Sequence, residues 1–328
     1  PLTEMHRDDA TAFFRAQGVR GARAEIERAC EPYGYHPLSL RLLAGLIAND
    51  PQQPGDIAAA RRLDVTGDLV GRQHHVLEQA YENLSPARQA LLGQIACFRS
   101  PMRYEALRAL AETGDDDHAG CRPGVGPALD ADLRDLVARG LLHHDRQANR
   151  YDLHPIVRRY AYDRLADKEG THSRLRDYFA AVPRPEKVQR LEDLALVVEL
   201  YHHTVRARQY DEARMLFRGR LASTLYYQLG AYQLCIDLLR ALFPDGEDKP
   251  PRLKEENAQG WTLAALANSY SLSGQPRSAV GHFQLAVELA EKLGNNRNAA
   301  IGVGNLADDQ LKIGALRAAE VNLRRRIT

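Results

Sequence analysis

The sequence predicts a mainly α protein in three parts: a segment of short helices, a compact helical unit with one β-hairpin, and a periodic helical array. Apolar residues recur at helical spacing through most of the 328 residues. One stretch, residues 141–153, instead places two short β-compatible runs around a polar turn. Beyond residue 191 the helical pattern repeats itself. At roughly 150 residues per domain, the length allows two or three domains.

Composition narrows the function classes. Hydrophobic residues make up 44% and charged residues 27%, ordinary for packed domains and unlike a disordered or collagen-like chain. No apolar run approaches the roughly 20 residues that cross a bilayer, and the first ten residues lack the apolar core of a signal peptide. The expected setting is therefore cytoplasmic, with no membrane contact. A net charge of +1 supplies no whole-molecule field for nucleic acid. Cys30, Cys97, Cys121 and Cys235 have no CxxC or zinc spacing and read as buried free thiols. The doublets His74-His75, His143-His144 and His202-His203 point to different faces of any helix or strand, so no metal site is expected from them.

In chain order, helices are expected at Asp8–Ala16 and Ala22–Cys30, interrupted by Gly18 and Gly21. Gly34 permits a turn, and Pro37 suits the first position of a helix, where its missing N–H is not needed. Leu38, Leu42, Leu43 and Leu46 then line one face of that helix. Residues 49–55, with two prolines, read as a loop. Helices follow at Gln73–Asn83, Ser85–Ala96 and Arg103–Glu112, with Ser85 as N-cap and Pro86 at the first helical position. Thr113–Pro127 reads as a polar insertion; its triplet Asp115–Asp117 lacks the ligand series of a calcium loop. A helix over Asp130–Arg139 stops at Gly140. The runs Leu141–His144 and Arg150–Leu153 flank the turn Asp145–Asn149 as a hairpin, and a helix over Pro155–Leu165 closes the unit. Three helices, a hairpin and a packing helix make a winged-helix architecture.

In the third part, aligning Gly274 with Gly314 superposes Leu263, Leu266, Ala267, Ala279 and Phe283 on Val303, Leu306, Ala307, Ala319 and Leu323. Together with Trp261 and Tyr270, these residues resemble the tetratricopeptide pattern, in which small residues let paired helices approach and aromatic ones fill between them. Irregular earlier copies run through Tyr226, Gly230, Cys235, Leu239 and Leu242, and through Leu200, Gln209, Ala213 and Phe217. The forty-residue period implies helices longer than those of the usual 34-residue repeat. The expected divisions are a helical lid at 1–70, a winged helix at 71–170 and a solenoid of repeats at 171–328.

No GxSxG, HExxH or Cys-His-Asn series is present, and none of the six lysines follows a glycine, so a GxxxxGK[ST] phosphate loop is absent. The chain alone is not expected to hydrolyse ATP.

Two segments carry a further resemblance. Pro1-Leu2-Thr3-Glu4, Ala10–Phe14 and Tyr35-His36-Pro37-Leu38-Ser39-Leu40 resemble the stretch of NB-ARC and related STAND signalling ATPases that contains their GxP motif. Tyr35 stands where that motif has its glycine, and Gly34 lies one residue further from Pro37. Val76–Leu84 with Leu91–Phe98 resembles the opening of the family's winged helix, and Leu153-His154-Pro155 its MHD motif, with only the histidine kept. The order of lid, winged helix and repeats is similar to that of bacterial members.

The resemblance implies a regulatory and sensor portion of a STAND ATPase. ADP or ATP would be held in the full-length protein, with Pro37 against the adenine and His154 at the β-phosphate. A protein or peptide ligand on the repeats would permit exchange, followed by homo-oligomerisation. It also implies an upstream nucleotide-binding core and an effector. The opening Pro-Leu-Thr-Glu-Met and a final repeat without a polar cap agree with a piece of a longer protein.

The residues themselves leave His154 two readings. Immediately before a helix carrying Pro155, its imidazole stands beside unsatisfied N–H groups, either as part of an anion site or as a helix cap. Two other functions stay open. A winged-helix transcription regulator would need a basic recognition helix, and Asp130, Asp132 and Asp135 against Arg134 and Arg139 make DNA an unfavourable partner. A scaffold would use only the repeats.

Overall fold

The computed structural model describes residues 4–63, 66–112, 125–183 and 187–327. They divide into two units, one ending at Arg174 and the other beginning at Leu175.

In the first unit, α1 (Arg7–Ala16) buries Ala10, Thr11 and Phe14. Gly18 turns the chain away in the left-handed region at φ +81°. After α2 (Arg23–Cys30) and a 3₁₀ turn at Glu31–Tyr33, α3 (Pro37–Ala48) starts on Pro37 as expected. It is buried more widely than one stripe: Leu40, Ala44 and Ile47 are covered along with Leu38, Leu42 and Leu43, while Leu46 is only half-buried. The apolar residues of α3 fill more than one side because α4 (Leu69–Glu82) and the 3₁₀ helix Ile57–Arg62 both pack on it.

The winged-helix elements follow. Ser85 caps α5 (Pro86–Ile95) by accepting from Arg88 N–H. Arg103, expected to open a helix, instead joins Met102 in β1 (Met102–Arg103), and α6 begins at Tyr104 and runs to Glu112. A two-residue strand has no periodicity to read; pairing of Met102 with Tyr151 is what buries it. Val125–Pro127 belongs to α7 (Val125–Ala138) rather than to the insertion, and the rest of that insertion, with Asp115–Asp117 and Cys121, lies outside the described residues. Gly140 (φ +76°) stops α7. The N–H groups of Leu141 and Leu142 return to Leu136 O at 3.1 and 3.2 Å, so these residues close the helix instead of joining the hairpin. The hairpin is therefore shorter than expected, β2 (His143–Asp145) and β3 (Arg150–Asp152), in an antiparallel sheet of order β1-β3-β2. Leu153 is buried beyond the strand, before α8 (Pro155–Arg164). The helix α9 (Lys168–Ala181) carries the chain into the second unit.

The second unit begins irregularly. A 3₁₀ turn, α10 (Ala195–Arg206) and α11 (Tyr210–Leu216) lead into two π-helical stretches, Phe217–Leu221 and Thr224–Gln228, followed by α12 (Tyr232–Arg240). It then becomes regular: α13 (Glu256–Leu272), α14 (Pro276–Lys292) and α15 (Asn296–Lys312) are each 17 residues long, and α16 (Leu316–Ile327) follows. Long helices joined by turns at Gly274, Gly294 and Gly314, all at positive φ, account for the long period. Ala267, Ala279, Phe283, Ala307 and Ala319 are buried as the tetratricopeptide-like pattern requires. Leu323 departs from the register: it is 39% exposed, because no further helix covers α16 among the described residues.

Cys30, Cys97 and Cys235 are buried thiols with no disulfide among the described residues, and burial pushes the Cys30 and Cys235 thiols up to about 12, leaving them protonated and inert. No described helix is long and apolar enough to cross a membrane.

Candidate functional site

Pro37 owes its place to an unusual turn. Gly34 and Tyr35 are consecutive left-handed residues, with φ +59° and +52°. For Tyr35 this costs roughly 1–2 kcal/mol. The cost is met by local bonds: Tyr35 O accepts from Met5 N–H at 2.9 Å, its Oη donates to Glu27 O at 3.2 Å, and Arg7 lies 5.7 Å from the ring centre. Tyr35 thus holds the backbone shape that a glycine at this position supplies without strain. His36 precedes the helix and lies 3.4 Å from Ser39 through Nδ1.

The helix α3 meets the turn after α7 with almost no intervening side chain. A Cβ on Gly45 would stand 2.3 Å from Arg139 O, and one on Gly140 would stand 2.7 Å from Arg41 O. Each glycine accommodates the other segment's backbone, so the contact is reciprocal. Arg41 crosses it and donates from its guanidinium to Leu142 O. Burial pushes the Arg41 pKa down, and no carboxylate among the described residues offsets that burial. A cation held in this way is a group prepared for an anion.

His154 lies two residues past the end of β3 and is the N-cap of α8, its Nδ1 accepting from Ile156 N–H at 3.3 Å. A ring that accepts at Nδ1 carries its proton on Nε2 in the neutral form. Capping therefore leaves one N–H to donate outward. His154 is an exposed residue, yet partial desolvation of its ring, then the charges of His36 and Arg41, push its pKa below 6.5, with Asp152 opposing them. Asp152 is itself engaged, accepting from Arg158 at 2.6 Å and from Leu153 N–H at 2.8 Å. The charges of His36, just before α3, and of Arg41, within it, thus both bear on His154 at the cap of α8.

The sequence reading singled out Pro37 and His154, and the fold adds His36 and Arg41 as the basic groups whose charges bear on His154. Arg41 had a readable signal, being the one charge between apolar residues in α3. What it approaches was not readable, since that depends on Gly140 and Leu142.

Other candidates are accounted for differently. His74 meets the edge of Tyr160, His144 stacks on Tyr151 with centroids 4.3 Å apart, and His203 stacks on Phe179 at 5.3 Å. The acidic residues of α7 are used inside the fold: Asp132 and Asp135 pair with Arg88 at 2.8 and 3.0 Å, and Asp135 also pairs with Arg139. A cavity of about 410 Å³ at the far end of α3, lined by Leu46, Asp50, Arg62, Gln79 and Arg139, includes neither Pro37 nor His154.

No protein-family model matches the sequence, and no curated protein matches it. Among solved structures, the chain is similar to a signal transduction ATPase with numerous domains (STAND) carrying a tetratricopeptide repeat sensor, from Pyrococcus horikoshii. The identity is 12% and the TM-score 0.38, over 99% of this chain. The chain spans 60% of the length of that structure.

Proposed function

We propose that the chain is the regulatory and sensor portion of a STAND-type signal-transduction ATPase. In this reading the lid and winged helix close over ADP, with the Pro37 ring against the base and the His154 Nε2–H donating to a phosphate. The repeats take a protein or peptide ligand whose binding favours the open form, which exchanges nucleotide and assembles. The ligand can shift this equilibrium only by binding the open form more tightly than the closed one.

The observation that carries the proposal is His154 at the N-terminus of α8, its Nδ1 turned to the helix and the charges of His36 and Arg41 bearing on it. Two histidines and an arginine without a carboxylate partner among the described residues have the chemistry of a phosphate site. The involvement of Asp132 and Asp135 with Arg88 weighs against a DNA-binding reading, since α7 offers no free basic face.

The test is the gene product that contains the chain. The proposal expects a GxxxxGK[ST] loop and an acidic strand upstream of Pro1, and ADP retained through purification. A reading frame without that loop, yielding nucleotide-free protein, would sink it.

A further inference from the structure

In the second unit, α13 and α15 form the walls of a groove with α14 as its floor. Trp261, Asn268, Asn298 and Asn305 all line it, around a cavity of about 130 Å³ that suits a single side chain. Asn305 Nδ2 faces Asn268 Oδ1 across the groove at 3.4 Å, a long and replaceable hydrogen bond. Primary amides offer a donor and an acceptor together, which is what the backbone of an extended peptide requires.

The charge of this region comes from the irregular helix beside it. Arg214 and Arg218 hold their guanidinium carbons 5.9 and 6.0 Å from the Trp261 ring centre. They are four residues apart, a like-charge spacing that destabilises a helix. Among the described residues neither has a carboxylate partner, and Arg214 Nε is buried without a hydrogen bond. Glu256, at the edge of the groove, is paired with Lys292. Arg218 also lies within the π-helical stretch Phe217–Leu221, a geometry that is rare and concentrated at functional sites. Two uncompensated cations on one aromatic ring, next to a row of amides, complement an anionic ligand with a peptide backbone.

We propose that this groove binds an extended acidic peptide, with a carboxylate between Arg214 and Arg218 beside Trp261 and its backbone amides on Asn268 and Asn305. The proposal rests on reading the repeats as a ligand sensor and is independent of nucleotide at His154, so the two fail separately.

Trp261 is the single tryptophan of the chain and reports on the site directly. The 328-residue chain is titrated with a decapeptide of alternating Glu and Thr, which in extended form puts every carboxylate on one face, and with the same peptide carrying Gln for Glu. The acidic peptide should change the tryptophan emission saturably, and the Gln peptide should bind about tenfold or more weakly. Arg218→Gln, at an exposed position, should weaken the acidic peptide by a similar factor with unchanged far-ultraviolet circular dichroism. Asn268→Ala should weaken both peptides alike, because it removes a backbone contact. Equal curves for the two peptides, no emission change with either, or saturation by a ten-nucleotide oligo-dT in preference to the acidic peptide would overturn the proposal.

Discussion

Residues forty apart do the same work in the repeat unit, whereas the first unit joins segments that have no counterpart elsewhere in the chain. Ala267 and Ala307 are both fully buried, as are Ala279 and Ala319, each serving one helix pair. Arg41, whose charge bears on His154, instead sits at one glycine-mediated contact between α3 and the turn after α7. Each unit is therefore vulnerable in a different place. A solenoid loses stability repeat by repeat, while the first unit can lose its electrostatic arrangement through a single added methyl group.

The largest effect that would sharpen the contrast is expected in the array. Phe283 is 1% exposed among residues of α13 and α14, and Phe283→Ala should cost about 3–5 kcal/mol in chemical denaturation. Amide exchange should accelerate in α13, α14 and α15 before α10; uniform acceleration across the second unit would show that its repeats are not independent neighbours.

Next comes Gly140→Ala. It combines a left-handed backbone with a clash against Arg41 O, together about 2–4 kcal/mol. It should also displace Arg41, so that the His154 pKa measured by NMR rises back toward 6.5. Lost stability with an unmoved His154 resonance would break the link between the glycine contact and the basic cluster.

The smallest expected effect is the pH dependence of His154. Because folding depresses its pKa, the unfolded state binds more protons below pH 6.5, and stability falls as pH drops from 6.5 through the folded value. His154→Ala should flatten that part of the stability profile while costing about 1 kcal/mol for the lost cap. A wild-type profile that is already flat there would contradict the depressed pKa.

Much of this fold was readable because helices announce themselves by spacing, and the capping of α5 by Ser85 and the start of α3 at Pro37 follow from local chemistry. What escaped depends on partners distant in sequence. Met102 and Arg103 are a strand only because β3 is beside them, and Leu141 and Leu142 leave the hairpin because Leu136 O takes their N–H groups. The π-helical stretches left no sequence mark either, since Phe217, Leu221 and Leu225 keep an apolar spacing that an α-helix also shows. At the candidate site, Pro37 and His154 were singled out by motif resemblance alone, whereas the bearing of Arg41 on His154 emerges only from the folded chain.

The most direct test of the phosphate role uses a substitution that separates capping from anion contact. In His154→Asn the shorter amide still caps α8 well but cannot reach outward as the imidazole does. In the full-length protein, the rate of ADP release should rise about tenfold or more, with thermal stability within about 0.5 kcal/mol of the parent. Release at the parent rate from a folded His154→Asn protein would contradict the account and leave His154 as a helix cap alone.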